Sequence, residues 1–136
     1  INGISATDSR EQVKETLPCY TGETEDNDSG MNCGGGVFYL NHDFFIYIKD
    51  DFMRVRKNFK GELSKPLLGK TAPEVSAMIG EPDDTFVYTD EWLGDKTTYM
   101  QYTMKWGVLA LLLSEGTVTS LEFHYGVEIG NIDYCF

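Results

Sequence analysis

Two short helix signals, placed 62 residues apart, constrain the fold of this sequence more than any other feature. The first begins at Ser9, with Gln12 three residues later, and the second begins at Thr71, with Glu74 three residues later. Ser and Thr cap the free backbone N–H groups at the start of a helix, and Gln or Glu at the third position returns the hydrogen bond. The pattern therefore predicts two equivalent short helices.

Strand-like sequence follows each helix signal. Apolar and β-branched residues form short runs separated by Gly, Asn and Asp, which is typical of antiparallel hairpins. The runs are 37–40, 44–48 and 52–59 in the first half, and 85–92, 97–104, 108–113 and 117–125 in the second. We expect an α+β fold of two tandem helix-plus-antiparallel-sheet repeats, residues 1–62 and 63–136. They should pack into one compact unit, because a chain of roughly 65 residues buries too little apolar surface alone.

Acidic side chains outnumber basic ones by 22 to 11, which gives a net charge of −11 at pH 7. Such a surface repels nucleic-acid phosphates and anionic membranes, which argues against both as ligands. The longest apolar run, 106–113, is far shorter than the roughly 20 residues of a membrane-spanning helix. The charge favours a protein partner with a basic surface, a metal ion or simply high solubility.

No arrangement of residues in the sequence predicts catalysis. His42 and His124 are too few for a zinc site, and no phosphate loop or hydrolase motif is present. A Cys–His pair stays open as an alternative, since such partners can be distant in the chain. A calcium loop that starts at Glu25 would reach Gly36 where its last glutamate ligand is needed, and so is incomplete. We predict no catalytic residue, no metal and no cofactor.

The second half of the chain, 67–125, resembles a family of small outer-membrane assembly lipoproteins. Their pattern has a Gly-then-Thr entry to a helix with Glu-Val, a Gly-x-Pro exit and a later Gly-x-Val hairpin. The matching residues here are Gly69, Thr71, Glu74, Val75, Gly80, Pro82, Gly116 and Val118. Two such units in tandem are similar to the secreted beta-lactamase inhibitory proteins. The resemblance implies a tandem α+β fold that binds and inhibits a partner enzyme.

The same resemblance implies a disulfide bond and a contact hairpin. In the inhibitory proteins a Cys just after the first helix pairs with a Cys just before the next strand, and Cys19 and Cys33 occupy those places here. The first repeat of that family also has an Asp and two aromatic residues in the hairpin that enters the enzyme. Asp43, Phe44 and Phe45 are similar in type.

Further aromatic residues complete the predicted contact surface. Tyr and Trp on the open face of a sheet are typical of protein-binding surfaces, where they supply much of the binding energy. We expect the partner-binding residues to be His42, Asp43, Phe44, Phe45, Trp92, Tyr99 and Trp106.

These observations predict a non-catalytic protein-binding module, of which an inhibitor that occludes an enzyme is one form. The start at Ile1 rather than Met fits either a removed signal peptide or a truncated sequence, and with the candidate disulfide we expect a secreted or periplasmic location in bacteria. Two alternatives stay open. One is a cytosolic immunity protein that neutralises a basic toxin, and the other is an envelope lipoprotein or scaffold subunit with a lipid anchor upstream of Ile1.

A count of free thiols tests the Cys19–Cys33 bond and, with it, the compartment. We expect one reactive thiol per denatured chain, that of Cys135, and three after reduction. The reason is that an oxidising compartment preserves a bridge that closes a loop of about 15 residues. Titration with a thiol reagent in denaturant measures both numbers. Three thiols before reduction would contradict the disulfide and favour the cytosolic alternative.

Overall fold

The computed structural model of the chain describes residues 4, 8–23, 35–47, 51–59, 61, 63, 65–132 and 134. The helices in this part of the chain are α1 (Arg10–Thr16) and α2 (Ala72–Ile79), and a 3-10 turn covers Leu40–His42. The strands are β1 (Gly22–Glu23), β2 (Gly36–Tyr39), β3 (Phe44–Tyr47), β4 (Phe52–Arg56), β5 (Asp84–Thr89), β6 (Lys96–Met104), β7 (Gly107–Ser114) and β8 (Thr117–Tyr125).

Both predicted helices are confirmed, and both begin with the predicted capping boxes. The Ser9 hydroxyl accepts a hydrogen bond from the Gln12 N–H at 3.2 Å, and the Gln12 side chain accepts one from the Ser9 N–H at 2.7 Å. Thr71 and Glu74 repeat this arrangement at 3.4 and 3.0 Å. The reciprocal bonds satisfy N–H groups that a helix start otherwise leaves without partners. Neither of these helices is long and apolar enough to cross a membrane.

The expected pair of helix-plus-sheet repeats is wrong. The described strands form one antiparallel sheet in the order β1-β2-β3-β4-β8-β7-β6-β5. Of the described residues, 44% lie in strands and 16% in helices. The two halves meet through the β4–β8 ladder rather than by packing one sheet on another. The expectation fails because the helices are too small to cover separate sheets. Each contributes a single fully buried side chain, Val13 in α1 and Val75 in α2. The domain boundary between 1–62 and 63–136 stays a prediction.

The sheet has two different faces, because successive residues of a strand point to opposite sides. In β4, Met53 and Val55 face the helices, while Phe52, Arg54 and Arg56 face the other way. The helix side holds the main core, which includes Val13, Val37, Phe44, Ile46, Met53, Val55, Val75, Leu111 and Leu121. The opposite side, which we call the outer face, holds a smaller cluster of Tyr99, Ala110 and Tyr134.

Gly107 is the first residue of β7, and its substitution tests how closely β7 and β8 approach each other. Its φ of +153° is unfavourable for other residues, and a Cβ there would overlap the carbonyl oxygen of His124. We expect Gly107→Ala to lower the free energy of unfolding by about 3 kcal/mol, because backbone strain and steric overlap add. Urea denaturation measures this loss.

Gly116 provides the matched control for Gly107. Its φ is +85°, but a Cβ there would meet open space. Gly116→Ala should therefore cost only the backbone strain, about 1 kcal/mol. Equal losses for the two variants would contradict the close approach of β7 and β8 at Gly107.

Candidate functional site

Three hairpin turns project from one end of the sheet, which we call the turn end. They are residues 40–43 between β2 and β3, 90–95 between β5 and β6, and 115–116 between β7 and β8. They share one end because the strands are antiparallel neighbours throughout the sheet. The turn between β6 and β7, at 105–106, lies at the opposite end.

Exposed apolar side chains are concentrated at the turn end. The large hydrophobic residues exposed in the described part of the chain are Tyr20, Leu40, Val87, Trp92, Leu93 and Met104. Leu40, Trp92 and Leu93 lie in the turns of this end. Tyr20 precedes Thr21, whose hydroxyl accepts a hydrogen bond from the Leu40 N–H at 2.9 Å, so Tyr20 lies at this end too. Single exposed hydrophobic residues are ordinary on a protein surface, whereas a group of them indicates an interaction site.

The 90–95 turn holds its apolar residues in a fixed loop. The Asp90 carboxylate accepts hydrogen bonds from the N–H groups of Trp92 and Leu93, at 2.9 and 2.8 Å. The backbone of Asp90 also bonds to Gly94 and Asp95, and Gly94 closes the loop with a left-handed φ of +72° that glycine readily adopts. Trp92 is 93% exposed on this pinned loop. A side chain on an ordered loop requires less ordering on binding, so this geometry favours recognition.

The β2–β3 turn places His42 and Asp43 at the turn end. Asp43 adopts a left-handed φ of +51°, and its carboxylate accepts a hydrogen bond from the Asn58 N–H at 3.0 Å. Asp43 therefore fixes the turn against the end of β4. Phe44, with 0% exposure, points into the helix-side core and is not available to a partner, while Phe45 is half-buried on the outer face.

Tyr99 and Trp106 lie away from the turn end. Tyr99 is 4% exposed on the outer face, where its ring stacks on Phe86 at 4.6 Å and burial raises the pKa of its phenol to about 12. Trp106 lies in the turn of the opposite end, with its ring centre 4.8 Å from that of Tyr125. The predicted contact residues that share the turn end are His42, Asp43 and Trp92.

The outer face contains a buried ionic cluster that no sequence pattern indicates as a unit. Glu122 on β8 is 1% exposed, and its carboxylate accepts a hydrogen bond from Arg54 Nε at 2.8 Å and lies 2.8 Å from His124 Nε2. The Arg54 guanidinium lies 5.7 Å from the centre of the Tyr47 ring, and Phe52 stacks on His124 at 4.6 Å. These rings shield the cluster from water, which strengthens its charge pairing.

The neighbours of Glu122 keep it ionised despite its burial. Burial alone raises the pKa of a carboxyl, but the hydrogen bond with His124 and the attraction of Arg54 outweigh it and hold the pKa of Glu122 below its usual range. Strand alternation indicates which face Arg54 occupies. No sequence signal indicates its partner, because the two residues are 68 positions apart.

Acid unfolding tests the role of Glu122. Because its pKa is lowered on folding, its contribution to stability is complete above the unfolded pKa near 4.5 and is lost as the pH falls through the folded value. We expect Glu122→Gln to be about 3 kcal/mol less stable than the unmodified chain at pH 7. That difference should narrow below pH 4.5, as measured by urea unfolding across the pH range.

Glu115→Gln, at an exposed turn position, is the control for this series. At pH 7 its free energy of unfolding should stay within about 0.5 kcal/mol of that of the unmodified chain. If the free energy of unfolding of Glu122→Gln stays below that of the unmodified chain by a constant amount down to pH 3, the ionised cluster is contradicted.

The predicted disulfide and the calcium-like loop extend beyond the described residues. Cys19 follows α1 and is exposed, with no disulfide to any residue in the described part. Cys33, Cys135 and the acidic run 25–30 lie outside it. The Cys19–Cys33 pairing therefore stays a prediction. In the ranges that the structure describes, no group of three or more His, Cys, Asp and Glu side chains could hold a metal ion.

No protein-family model, no curated protein and no solved structure matches the chain. The resemblance to the assembly lipoproteins and the beta-lactamase inhibitory proteins therefore stays a prediction that these comparisons do not test. Among the large hydrophobic residues exposed in the described part of the chain, Trp92, in the 90–95 turn, is the most exposed.

Proposed function

We propose that this chain is a non-catalytic protein-binding module that contacts its partner with the turn end of the sheet. The observation that carries the proposal is the clustering there of Tyr20, Leu40, Trp92 and Leu93, which are all exposed. Trp is among the residues that most often dominate binding energy at protein interfaces. In this proposal Trp92 fills a pocket of the partner, and the other apolar side chains exclude water around it.

The dimensions of the turn end suit a protein partner. The 40–43 and 90–95 turns are five strand spacings apart in the sheet order, which at about 4.8 Å each is about 24 Å along the sheet. A standard interface covers about 800 Å² on each partner, which corresponds to a patch of similar width. Tyr20 and Leu40 at the first turn, and Trp92 and Leu93 at the second, can therefore contact the same partner surface.

The charge of the chain favours a partner with a basic surface. The net charge is −11, and Asp90, Glu91 and Asp95 flank Trp92 in the sequence of its turn. Complementary charge accelerates encounter and suppresses unsuitable partners. The buried cluster around Glu122 fits a structural role rather than catalysis, because aromatic rings enclose its charged atoms.

Substitution of Trp92 tests the proposal. A photo-reactive amino acid at position 92 should crosslink to the partner in cells, and the adduct identifies that partner. Trp92→Ala should then weaken binding of the identified partner about 30-fold, which corresponds to about 2 kcal/mol for a central contact residue. The stability of the chain should change by less than about 0.5 kcal/mol, since Trp92 is almost fully exposed.

The opposite end of the sheet supplies the controls. A photo-reactive residue at Lys105 should give no adduct with the same partner, and Met104→Ala should leave the affinity within threefold of its original value. Both residues are exposed, so the comparison isolates position on the sheet. Equal crosslinking from positions 92 and 105, or an unchanged affinity of Trp92→Ala, would exclude the turn end as the contact surface.

A further inference from the structure

One side of the β5 backbone has no strand beside it in the part of the chain that the structure describes. β5 is the last strand in the sheet order and pairs only with β6 among the described strands. The Asp90 N–H donates to the Asp95 carbonyl at 2.8 Å. Because bonded residues alternate along an antiparallel strand, Tyr88, Phe86 and Asp84 also bond to β6. The intervening residues Thr85, Val87 and Thr89 direct their N–H and C=O groups away from the sheet.

This open edge is accessible and regular. Thr85, Val87 and Thr89 are all exposed, and their outward backbone groups have no hydrogen-bond partner within the described ranges. The six residues of β5 extend over about 20 Å. An open edge of this kind is a template for another strand, and proteins usually block it with Lys, Pro or a bulge in the strand. β5 contains neither Lys nor Pro.

A groove runs beside the same edge on the helix side of the sheet. It has a volume of about 660 Å³, and its lining includes Ala72, Pro73, Ser76, Ala77, Thr85 and Met100. It exists because α2 presents small side chains here and does not reach over β5. Val87, next to Thr85 on the same face of β5, is 56% exposed. A strand added to β5 would place alternate side chains beside Val87 and the groove.

The charge around the edge selects the occupant. The segment 81–91 contains five acidic residues, Glu81, Asp83, Asp84, Asp90 and Glu91, and no basic residue. A second copy of this chain would bring the same negative charge to the edge and would be repelled. A basic segment would gain attraction at both ends of β5.

The geometry points to strand addition at β5, in which an extended, basic segment of a partner protein pairs with Thr85, Val87 and Thr89. Main-chain hydrogen bonds hold the segment, apolar side chains at alternate positions lie along the α2 groove, and Lys or Arg residues meet the acidic groups of 81–91. This surface adjoins the turn end at Asp90 and Glu91, but the outward backbone of β5 forms it, so it extends the proposed function to a second kind of contact.

A synthetic peptide tests the inference with the full chain. The probe is a seven-residue peptide in which Lys and Val alternate, and the reference is the same peptide with Glu in place of Lys. The Lys peptide should slow amide hydrogen exchange at Thr85, Val87 and Thr89 at least tenfold, as measured by NMR. The Glu peptide should leave these rates unchanged, and raising the salt from about 50 to 500 mM should weaken the Lys complex.

Two variants at position 87 separate the backbone contribution from the side chain. Val87→Pro removes an N–H that faces away from β6, a position where an edge strand tolerates proline. It should weaken binding of the Lys peptide at least tenfold. Val87→Thr keeps the N–H and should stay within threefold of the original affinity. The turn-end variant Trp92→Ala should not alter peptide affinity, which distinguishes this inference from the proposed function.

A second pair of variants keeps the test decisive if proline disturbs the fold. Ala77 lies on the exposed side of α2 and lines the groove. Ala77→Lys should weaken the Lys peptide at least fivefold, while Ala77→Glu should bind it as well or better. Equal affinities of these two variants, no protection of the three β5 amides, or self-association through the edge would each overturn the inference.

Discussion

The pairing of β4 with β8 joins the two halves of the chain, and the rest of the structure depends on it. At this junction Arg54 and Glu122 lie opposite each other, although 68 positions separate them in the sequence. Closing so long a loop is entropically costly, so the junction must be well stabilised once formed. The ion pair also selects the register, because a slip by one residue would turn Glu122 towards the apolar helix-side core.

The outer face extends this order to the far edge of the sheet. The Tyr134 hydroxyl donates to Gln101 at 2.7 Å, and the Gln101 amide donates to Asp84 at 3.0 Å. These bonds tie a C-terminal residue to β6 and β6 to the start of β5. β5 is therefore held to β6 by backbone and side-chain hydrogen bonds. Its free edge keeps a fixed geometry although no described strand pairs with it.

Local features of this fold could be predicted from the sequence, and non-local ones could not. The helix starts at Ser9 and Thr71 were predictable because a capping box joins residues only three positions apart. The strand order was not, since pairing of β4 with β8 depends on contacts between distant segments. The burial of Phe44 was unpredictable for the same reason. Strand alternation places Phe44 and Phe45 on opposite faces, but only the packed helices show which face is the core. Trp92 was expected at the end of a strand over 85–92, but β5 ends at Thr89 and Trp92 lies in the turn that follows.

The negative charge, which favours solubility, also explains how β5 can keep an unpaired edge without associating with a second copy of the chain. Natural sheets protect their edges because unpaired strands associate with one another. Here the five acidic residues around β5 would repel an identical chain without closing the edge by a side chain or proline. Such protection is selective, because it depends on the sign of the charge of the incoming strand. The β5–β6 hairpin also ends in the Trp92 turn, so a segment aligned along β5 would lead directly to the most exposed aromatic side chain of the molecule's described part.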